Sequence, residues 1–355
     1  MIGNDDYLWD RSGPVDPEVA ALERLLAGQG LATDVPRRRR RIPGRTRRWR
    51  VALATAAVLA VCVFGLRVWF QQRLQWEAGA PWQVIAQTGD VRIDGRKQQA
   101  QALSLDGTLE TGANAMTRLR AAGIGEVAIG AGSRLRLLET RTGRHRVQLE
   151  QGSLWARVWA PPGQFGVGVA GAHVIDLGCE FLLKVDADGN GSLSVLSGWV
   201  QVDNLRREVL VPQGARVAIH GDGAAGTPHA HAASPDFVAA LAAIDARDGE
   251  VDPDGAEVRR LLEASQASDA ISLLVLLRDY PRLAEGPMFE RLAQLLPTAT
   301  PATRVAWHAD RMAVLNAWWD ALPYPQVKRW WTQWPDALPS RGGKMAVWLQ
   351  TQQGG

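Results

Sequence analysis

Apolar and polar residues alternate with three different periods along this chain. Between Val51 and Leu66 no residue carries a charge, and Val68, Trp69 and Phe70 prolong the apolar run past Arg67. Twenty helical residues at ~1.5 Å each span ~30 Å, the hydrocarbon thickness of a bilayer. The pattern therefore predicts a single transmembrane helix over 51–70, with Trp49 and Trp69 at the edges where amphipathic rings are favoured. From Trp82 to His220 the period falls to two, in short runs broken by glycine: Gly89–Gly95, Thr117–Arg120, Ser133–Leu137, Arg146–Leu149 and Leu154–Val158. Strands and turns with no helical pattern between them predict an all-β unit over 82–220, a sandwich, barrel or short stacked solenoid. After a Gly-, Ala- and Pro-rich stretch read as a linker, 221–234, apolar residues return every three to four positions. Helices are predicted over Pro235–Ala246, Pro253–Ala264, Ser268–Tyr280, Pro287–Leu296 and Thr303–Leu322, so 235–355 is expected to be an α-helical, Trp-rich domain.

Ahead of the membrane segment lies one further element. Asp16 suits an N-cap, Pro17 the first helical position and Glu18 the positive end of the dipole. Val19, Leu22, Leu25 and Leu26 then fall on one stripe that ends at Gly28. A single short helix cannot build its own core. The stripe, with Trp9 upstream, is a candidate partner contact of the helix-in-groove kind; the alternatives are a helix lying on the membrane surface and a weakly ordered tail. The expected fold is thus multidomain: residues 1–36, an Arg-rich run at 37–50, a transmembrane helix, an all-β domain and an α-helical C-terminal domain.

Charge orients this arrangement. The 355 residues carry a net charge of +3, but nine arginines and no acid sit within residues 37–50. They precede the apolar run, and only Arg67 and Arg73 follow it closely. The positive-inside rule puts the N-terminus in the cytosol and residues 71–355 outside. Contact with anionic lipid headgroups accounts for the arginines. Direct nucleic-acid binding would call for interleaved aromatic residues or a folded motif, which the run lacks. Ala78-Gly79-Ala80 has the form of a signal-peptidase site, but it stands fourteen residues past Leu66 and is followed by Pro81, so an uncleaved anchor is expected.

Chemistry-bearing motifs fail on context. Cys62 and Cys179 are the only cysteines and have no paired Cys/His spacing. Gly166-Val167-Gly168-Val169-Ala170-Gly171 matches a dinucleotide fingerprint in letters, but strand-like sequence follows it where a helix is required. Asp186-Ala187-Asp188-Gly189-Asn190-Gly191 opens like a calcium loop, yet Ser197 occupies the position of the bidentate Glu, and a hairpin turn is expected instead. His229 and His231 lack a third ligand, and Cys179 lacks a base, so it reads as a packed thiol. No enzyme, metal or cofactor is expected. One positive pattern remains: Arg118, Arg120, Arg134, Arg136, Arg146 and Arg157 all fall at polar positions of short strands. Stacked in register they would form a ladder able to meet an anionic partner, the alternative being an ordinary solvated face. In the helical end, Trp318-Trp319 and Trp330-Trp331 cannot both face one side of a helix, so one of each pair is expected on a second surface.

Gly89-Asp90-Val91, Leu109-Glu110-Thr111-Gly112, Thr117-Arg118-Leu119 and Gly132-Ser133-Arg134-Leu135 come in that order. Gln151-Gly152-Ser153-Leu154, the run His173 to Phe181 with Asp176-Leu177-Gly178-Cys179-Glu180-Phe181, and Val195 to Val200 follow. In order and spacing the set resembles the FecR domain, with Cys179 where a Thr is common. The resemblance implies a single-pass protein of the bacterial inner membrane, with a periplasmic β domain and a cytosolic segment that restrains or licenses an extracytoplasmic-function sigma factor. It also implies an outer-membrane receptor or other envelope component as the source of the signal. The family's usual cytosolic segment is longer and multi-helical than residues 1–36. The alternative expectation is an envelope-anchored scaffold with no signalling role. Alkaline phosphatase fused after residue 80 should be active, and β-galactosidase fused there inactive; the reverse pattern would overturn the expected topology.

Overall fold

The computed structural model describes residues 17–27, 45–97, 102–204, 207–247 and 249–324. The chain divides into two units, Met1–Gly65 and Leu66–Gly355. Within the first, α1 (Pro17–Leu26) leaves Leu22, Leu25 and Leu26 exposed at 60%, 77% and 59%. Asp16 and Trp9 lie outside the described residues. Helix α2 (Arg45–Arg73) is 29 residues long, or ~43 Å at ~1.5 Å per residue. It exceeds the apolar run at both ends, and its Ala52–Trp69 stretch is long and apolar enough to cross a membrane, with none of it buried.

The second unit begins with strands. In chain order they are β1 (Trp82–Thr88), β2 (Val91–Ile93), β3 (Arg96–Lys97), β4 (Ala102–Leu103), β5 (Thr108–Thr111) and β6 (Met116–Ala121). Then come β7 (Gly125–Ile129), β8 (Arg134–Arg141), β9 (Arg144–Val158), β10 (Phe165–Val169), β11 (Ala172–Asp176) and β12 (Glu180–Val185). The last are β13 (Gly191–Ser197), β14 (Trp199–Asp203), β15 (Glu208–Pro212), β16 (Ala215–Ile219) and β17 (His229–Ala230). Pairing places them in two layers. One runs β4–β1–β6–β7–β9–β12–β13–β16–β17. The other runs β3–β2–β5–β8–β9–β10–β11–β14–β15. Among the described residues, every strand pairing is antiparallel except β9 with β10. After β9, successive hairpins are laid alternately on the two layers: β10–β11 on the second, β12–β13 on the first, β14–β15 on the second. The result is a curled sheet whose two faces stack like a sandwich, one of the three expected classes. Inward residues of both layers, among them Leu119, Leu135, Leu149, Leu154, Val174, Phe181 and Val211, merge into one core cluster.

The layers share β9. The sequence predicts two strands, Arg146–Leu149 and Leu154–Val158, because the glycine between them reads as a break. They form one fifteen-residue strand instead. Its first half pairs with β8 and β10, its second with β7 and β12. Gly152 stands at the crossing with φ +97°, and a Cβ there would meet Ser133 Oγ at 2.1 Å and Ser133 Cα at 2.4 Å. The space belongs to a buried network: Ser133 Oγ donates to the Gly130 carbonyl (2.8 Å) and accepts from Ser153 N (2.9 Å), while Thr111 Oγ1 donates to that carbonyl (2.6 Å) and accepts from Ser133 N (2.9 Å).

Residues 221–234, read from composition as a linker, do connect strands to helices, but as ordered chain. His229–Ala230 pairs with Ala215–Arg216, and Ala225, Thr227 and Ala230 are buried. The helices are α3 (Pro235–Asp245), α4 (Ala256–Ala264), α5 (Ala270–Asp279), α6 (Met288–Leu295), α7 (Arg304–Ala309) and α8 (Arg311–Ala321). They share a second core that includes Phe237, Leu261, Leu276, Phe289 and Trp318. The single helix expected over Thr303–Leu322 is divided. Asp310 leaves helical geometry (φ −151°, ψ 87°) and its carboxylate caps α8 by accepting from Ala313 N at 3.0 Å. Replacing Gly152 with Ala combines a left-handed backbone with a clash against Ser133 backbone and side chain, and should cost about 2–4 kcal/mol. Denaturant unfolding of the two chains measures it; a change below about 0.5 kcal/mol would mean the crossing can open to admit a methyl group.

Candidate functional site

Two turns carry the chain between layers side by side. In the first, β11 ends at Asp176 and β12 starts at Glu180. The Asp176 carboxylate, fully buried, accepts from Gly178 N (3.1 Å), Cys179 N (2.9 Å) and the Cys179 thiol. Burial pushes the Asp176 carboxyl up to about 7 against the lowering effect of these donors. Burial, with the neighbouring Asp176 charge, pushes the Cys179 thiol well above its ordinary value. The thiol is therefore a protonated donor, and the packed-thiol reading of Cys179 describes its setting. A Thr hydroxyl at this position would supply the same donor. In the second turn, Ser197-Gly198-Trp199 joins β13 to β14. Gly198 has φ +76°, and a Cβ there would lie 2.3 Å from the Gly178 carbonyl oxygen. Leu177 N donates to the Trp199 carbonyl at 3.2 Å. The Asp-Leu-Gly-Cys run thus fixes where Trp199 stands.

Trp199 in turn receives the helices. Its ring centroid lies 5.3 Å from Trp319 on α8 and 5.7 Å from Tyr324, the latter edge-on. Trp318 points the opposite way, fully buried 5.1 Å from Phe289. The adjacent tryptophans divide between two surfaces, as helical geometry requires. Further along the same contact, Arg207 at the β14–β15 turn gathers four segments. Its Nε donates to Asp279 Oδ2 (2.8 Å), Nη1 to the Ala225 carbonyl (2.9 Å) and Nη2 to Thr227 Oγ1 (3.1 Å), and Asp245 Oδ1 lies 3.9 Å away. Asp245 closes the last turn of α3, where the helix dipole disfavours an acid; Thr227 compensates by donating both N–H and O–H to it, each at 2.6 Å. Arg278 Nη2 donates to the Glu208 carbonyl (3.0 Å) and Ser272 Oγ to the Pro228 carbonyl (2.7 Å). Helical and strand regions are therefore joined by specific polar contacts as well as aromatic ones. Sequence reasoning missed Arg207, Asp245 and Asp279, since nothing in an Arg-rich chain distinguishes one arginine that a fold surrounds with acceptors.

The sequence-predicted candidates do not come together. Arg118 and Arg120 lie on β6 in one layer, Arg134 and Arg136 on β8 in the other, so no common ladder forms. Arg134 Nε donates to Glu110 at 2.9 Å, Arg136 pairs with Asp106 at 3.5 Å and Arg120 with Glu126 at 3.8 Å. Arg146 turns onto the carbonyls of His145, Gly163 and Gln164, and Arg157 is buried on β9. The registers put Arg120, Arg134 and Arg136 beside acids and Arg146 beside backbone carbonyls. Val19, Leu22, Leu25 and Leu26 do share the exposed α1. The fingerprint-like Gly166–Gly171 stretch is the β10–β11 hairpin, and Asp186 Oδ1 accepts from Asp188 N and Asn190 N (both 2.9 Å) in the β12–β13 turn. Among the described residues, no group of three His, Cys, Asp or Glu side chains is placed to hold a metal ion.

The family model described as FecR protein matches residues 107–201. This stretch runs from the turn before β5 into β14, and so contains the shared strand, the Asp176 turn and Trp199; the Gly89–Val91 motif lies ahead of it. Two crystal structures of a candidate anti-sigma factor from Parabacteroides distasonis ATCC 8503, at 1.65 and 2.50 Å resolution, are similar to this chain at 19% identity and TM-score 0.31. The match covers 38% of this chain and spans 64% and 63% of the lengths of those two. No curated protein matches the chain.

Because the folded pKa of Asp176 lies above its value of 3.8 in an unfolded chain, the native state binds the proton more tightly. Stability from this group is full below pH ~4 and declines as pH rises towards 7. The Asp176→Asn chain lacks this dependence, whereas His145 and His229, whose pKa values burial lowers, are common to the two chains. The stability difference between wild type and Asp176→Asn should therefore shrink, by about 1 kcal/mol or more, from pH 5 to pH 8. Parallel profiles in urea melts at the two pH values would show that burial does not govern Asp176. Cys179→Thr, which keeps the donor, should follow wild type.

Proposed function

We propose that this protein is a single-pass membrane regulator of an extracytoplasmic-function sigma factor, anchored in the bacterial inner membrane by α2. The FecR-matched strands and the helices behind them face the periplasm, and α1 faces the cytosol. The observation that carries the reading is the FecR match over the shared strand and Asp176 turn, in a chain whose apolar helix precedes that domain. The exposed leucine stripe of α1 supports a cytosolic contact, since burying one leucine on a partner contributes about 1.5–3 kcal/mol. In this reading an envelope component engages the periplasmic part, and the change reaches the cytosol by altering α1 or its availability to a partner. Its action is regulatory, through protein contacts, and not enzymatic.

The first 36 residues decide between this and an envelope-anchored scaffold. Deleting Gly3–Asp34 while keeping the arginines should abolish a sigma-dependent transcriptional response, and Leu22→Glu with Leu25→Glu should weaken capture of the sigma factor by residues 1–50 about a hundredfold or more. A silent deletion would favour the scaffold.

A further inference from the structure

The chain leaves α2 at Arg73 and enters β1 at Trp82, and the residues between are clipped to the β8–β9 hairpin. Trp76 N donates to Thr142 Oγ1 (2.7 Å), and the Trp76 carbonyl accepts from that hydroxyl (3.0 Å) and from Thr142 N (3.2 Å). Gly79 N donates to the Thr140 carbonyl (2.8 Å), and Trp82 Nε1 to Thr140 Oγ1 (3.1 Å). Leu74 and Trp76 pack, partly buried, on the strand core. The clip leaves little slack. From Trp69, the end of the apolar stretch, to Arg73 the helix rises ~6 Å. From Arg73 even a fully extended chain reaches Trp76 within ~10 Å. All of these residues belong to the unit Leu66–Gly355.

The surface beside the clip carries exposed leucines. Strand β8 turns Arg134, Arg136 and Arg141 outward, and Leu138 joins them because the ladder to β9 skips it between Leu137 and Glu139. A bulge re-aims a side chain; this one leaves a leucine 42% exposed. Leu105, 43% exposed, lies at the same edge. Asp106 N donates to the Leu137 carbonyl (2.8 Å), and a Cβ on Gly79 would stand 3.8 Å from Leu105 Cδ2. Around them Arg141, Arg144 and Arg146 outnumber Glu77 and Glu139, so anionic headgroups are not repelled. We propose that Leu105, Leu138 and the tip of the β8–β9 hairpin rest on the phospholipid surface beside the exit of α2. The tether names the occupant: with Trp69 at the hydrocarbon edge, headgroups fill the next ~5–7 Å, and the clip starts no more than ~16 Å from that edge. The inference rests on α2 crossing the membrane and adds a lipid contact to that reading. The β region is then seated on the membrane instead of swinging on a free stalk.

The test uses the full chain carrying Cys62→Ser and Leu138→Cys, labelled with the fluorophore NBD in a background where Cys179 is buried. It is reconstituted into vesicles of phosphatidylethanolamine and phosphatidylglycerol that contain lipid spin-labelled at the headgroup. Quenching at position 138 should be at least twofold stronger than at Asp188→Cys in the β12–β13 turn, which lies beyond the pairing of Val185 with Gly152, well along β9 from the hairpin. Leu105→Cys should match Leu138→Cys, and decides the matter should the latter lose its cooperative melt. Equal quenching at 138, 105 and 188, in protein that resists extraction by alkaline carbonate, would overturn the lipid contact and leave the anchor standing. Release of the protein by carbonate would overturn the anchor itself, and the contact with it.

Discussion

The arrangement of the β region rests on one strand belonging to two layers. Because β9 makes ladder bonds to β8 and β10 along one half and to β7 and β12 along the other, the layers cannot slide against each other without breaking it. Such continuity has a local cost. The strand must pass Ser133 at a distance only glycine permits, and the buried hydroxyls of Thr111 and Ser133 must satisfy the polar backbone groups that the crossing would otherwise strand. Gly152, Thr111 and Ser133 are thus one device, and the shared core behind them depends on it.

A second device repeats the logic where β11 passes to β12 and β13 to β14. Asp176 holds one turn by three donors, and Gly198 lets the second approach the first at the Gly178 carbonyl. What this fixes is Trp199, and Trp199 is where Trp319 and Tyr324 meet the strands. A displacement of the helices is therefore felt first at a turn with no slack, because a fully buried carboxylate cannot exchange its donors for water. Arg207 gives the same interface direction: one guanidinium is shared by α3, α5, the 225–227 segment and its own turn. Loss of any one acceptor leaves a partly buried charge underpaired, so the four segments move together or not at all.

Much of this was legible before the fold was seen, and what was illegible has a physical reason. Strands such as Thr117–Arg120 and Ser133–Leu137 declare themselves by alternation, because one face meets the core and the other is more exposed. The family resemblance was readable because its motif residues sit at layer crossings, where backbone geometry restricts the choice of residue. The continuity of β9 was hidden, since a glycine that admits a crossing looks like one that ends a strand. The division at Asp310 was hidden too, because an acid in the middle of an apolar stripe reads as an exposed helical position until its carboxylate is seen capping α8. Arg207 left no trace at all. An ion-pair hub formed by residues 207, 245 and 279 is a property of tertiary approach, and pattern along the chain carries no record of it.

The arginines make the final step. Spaced along strands, they suggest an anionic partner; in the fold Arg134, Arg136 and Arg120 already face Glu110, Asp106 and Glu126 of their own layers. Exposed pairs of this kind are worth about 0–1 kcal/mol, so they stabilise little. They nevertheless neutralise the surface, and an anionic partner would have to displace an acid before gaining anything. Beyond the apolar run, residues 71–355 hold 28 bases against 30 acids, which leaves no long-range field to steer association. Under the proposed function, recognition would then rest on apolar area, of which the exposed Leu22, Leu25 and Leu26 of α1 are an example.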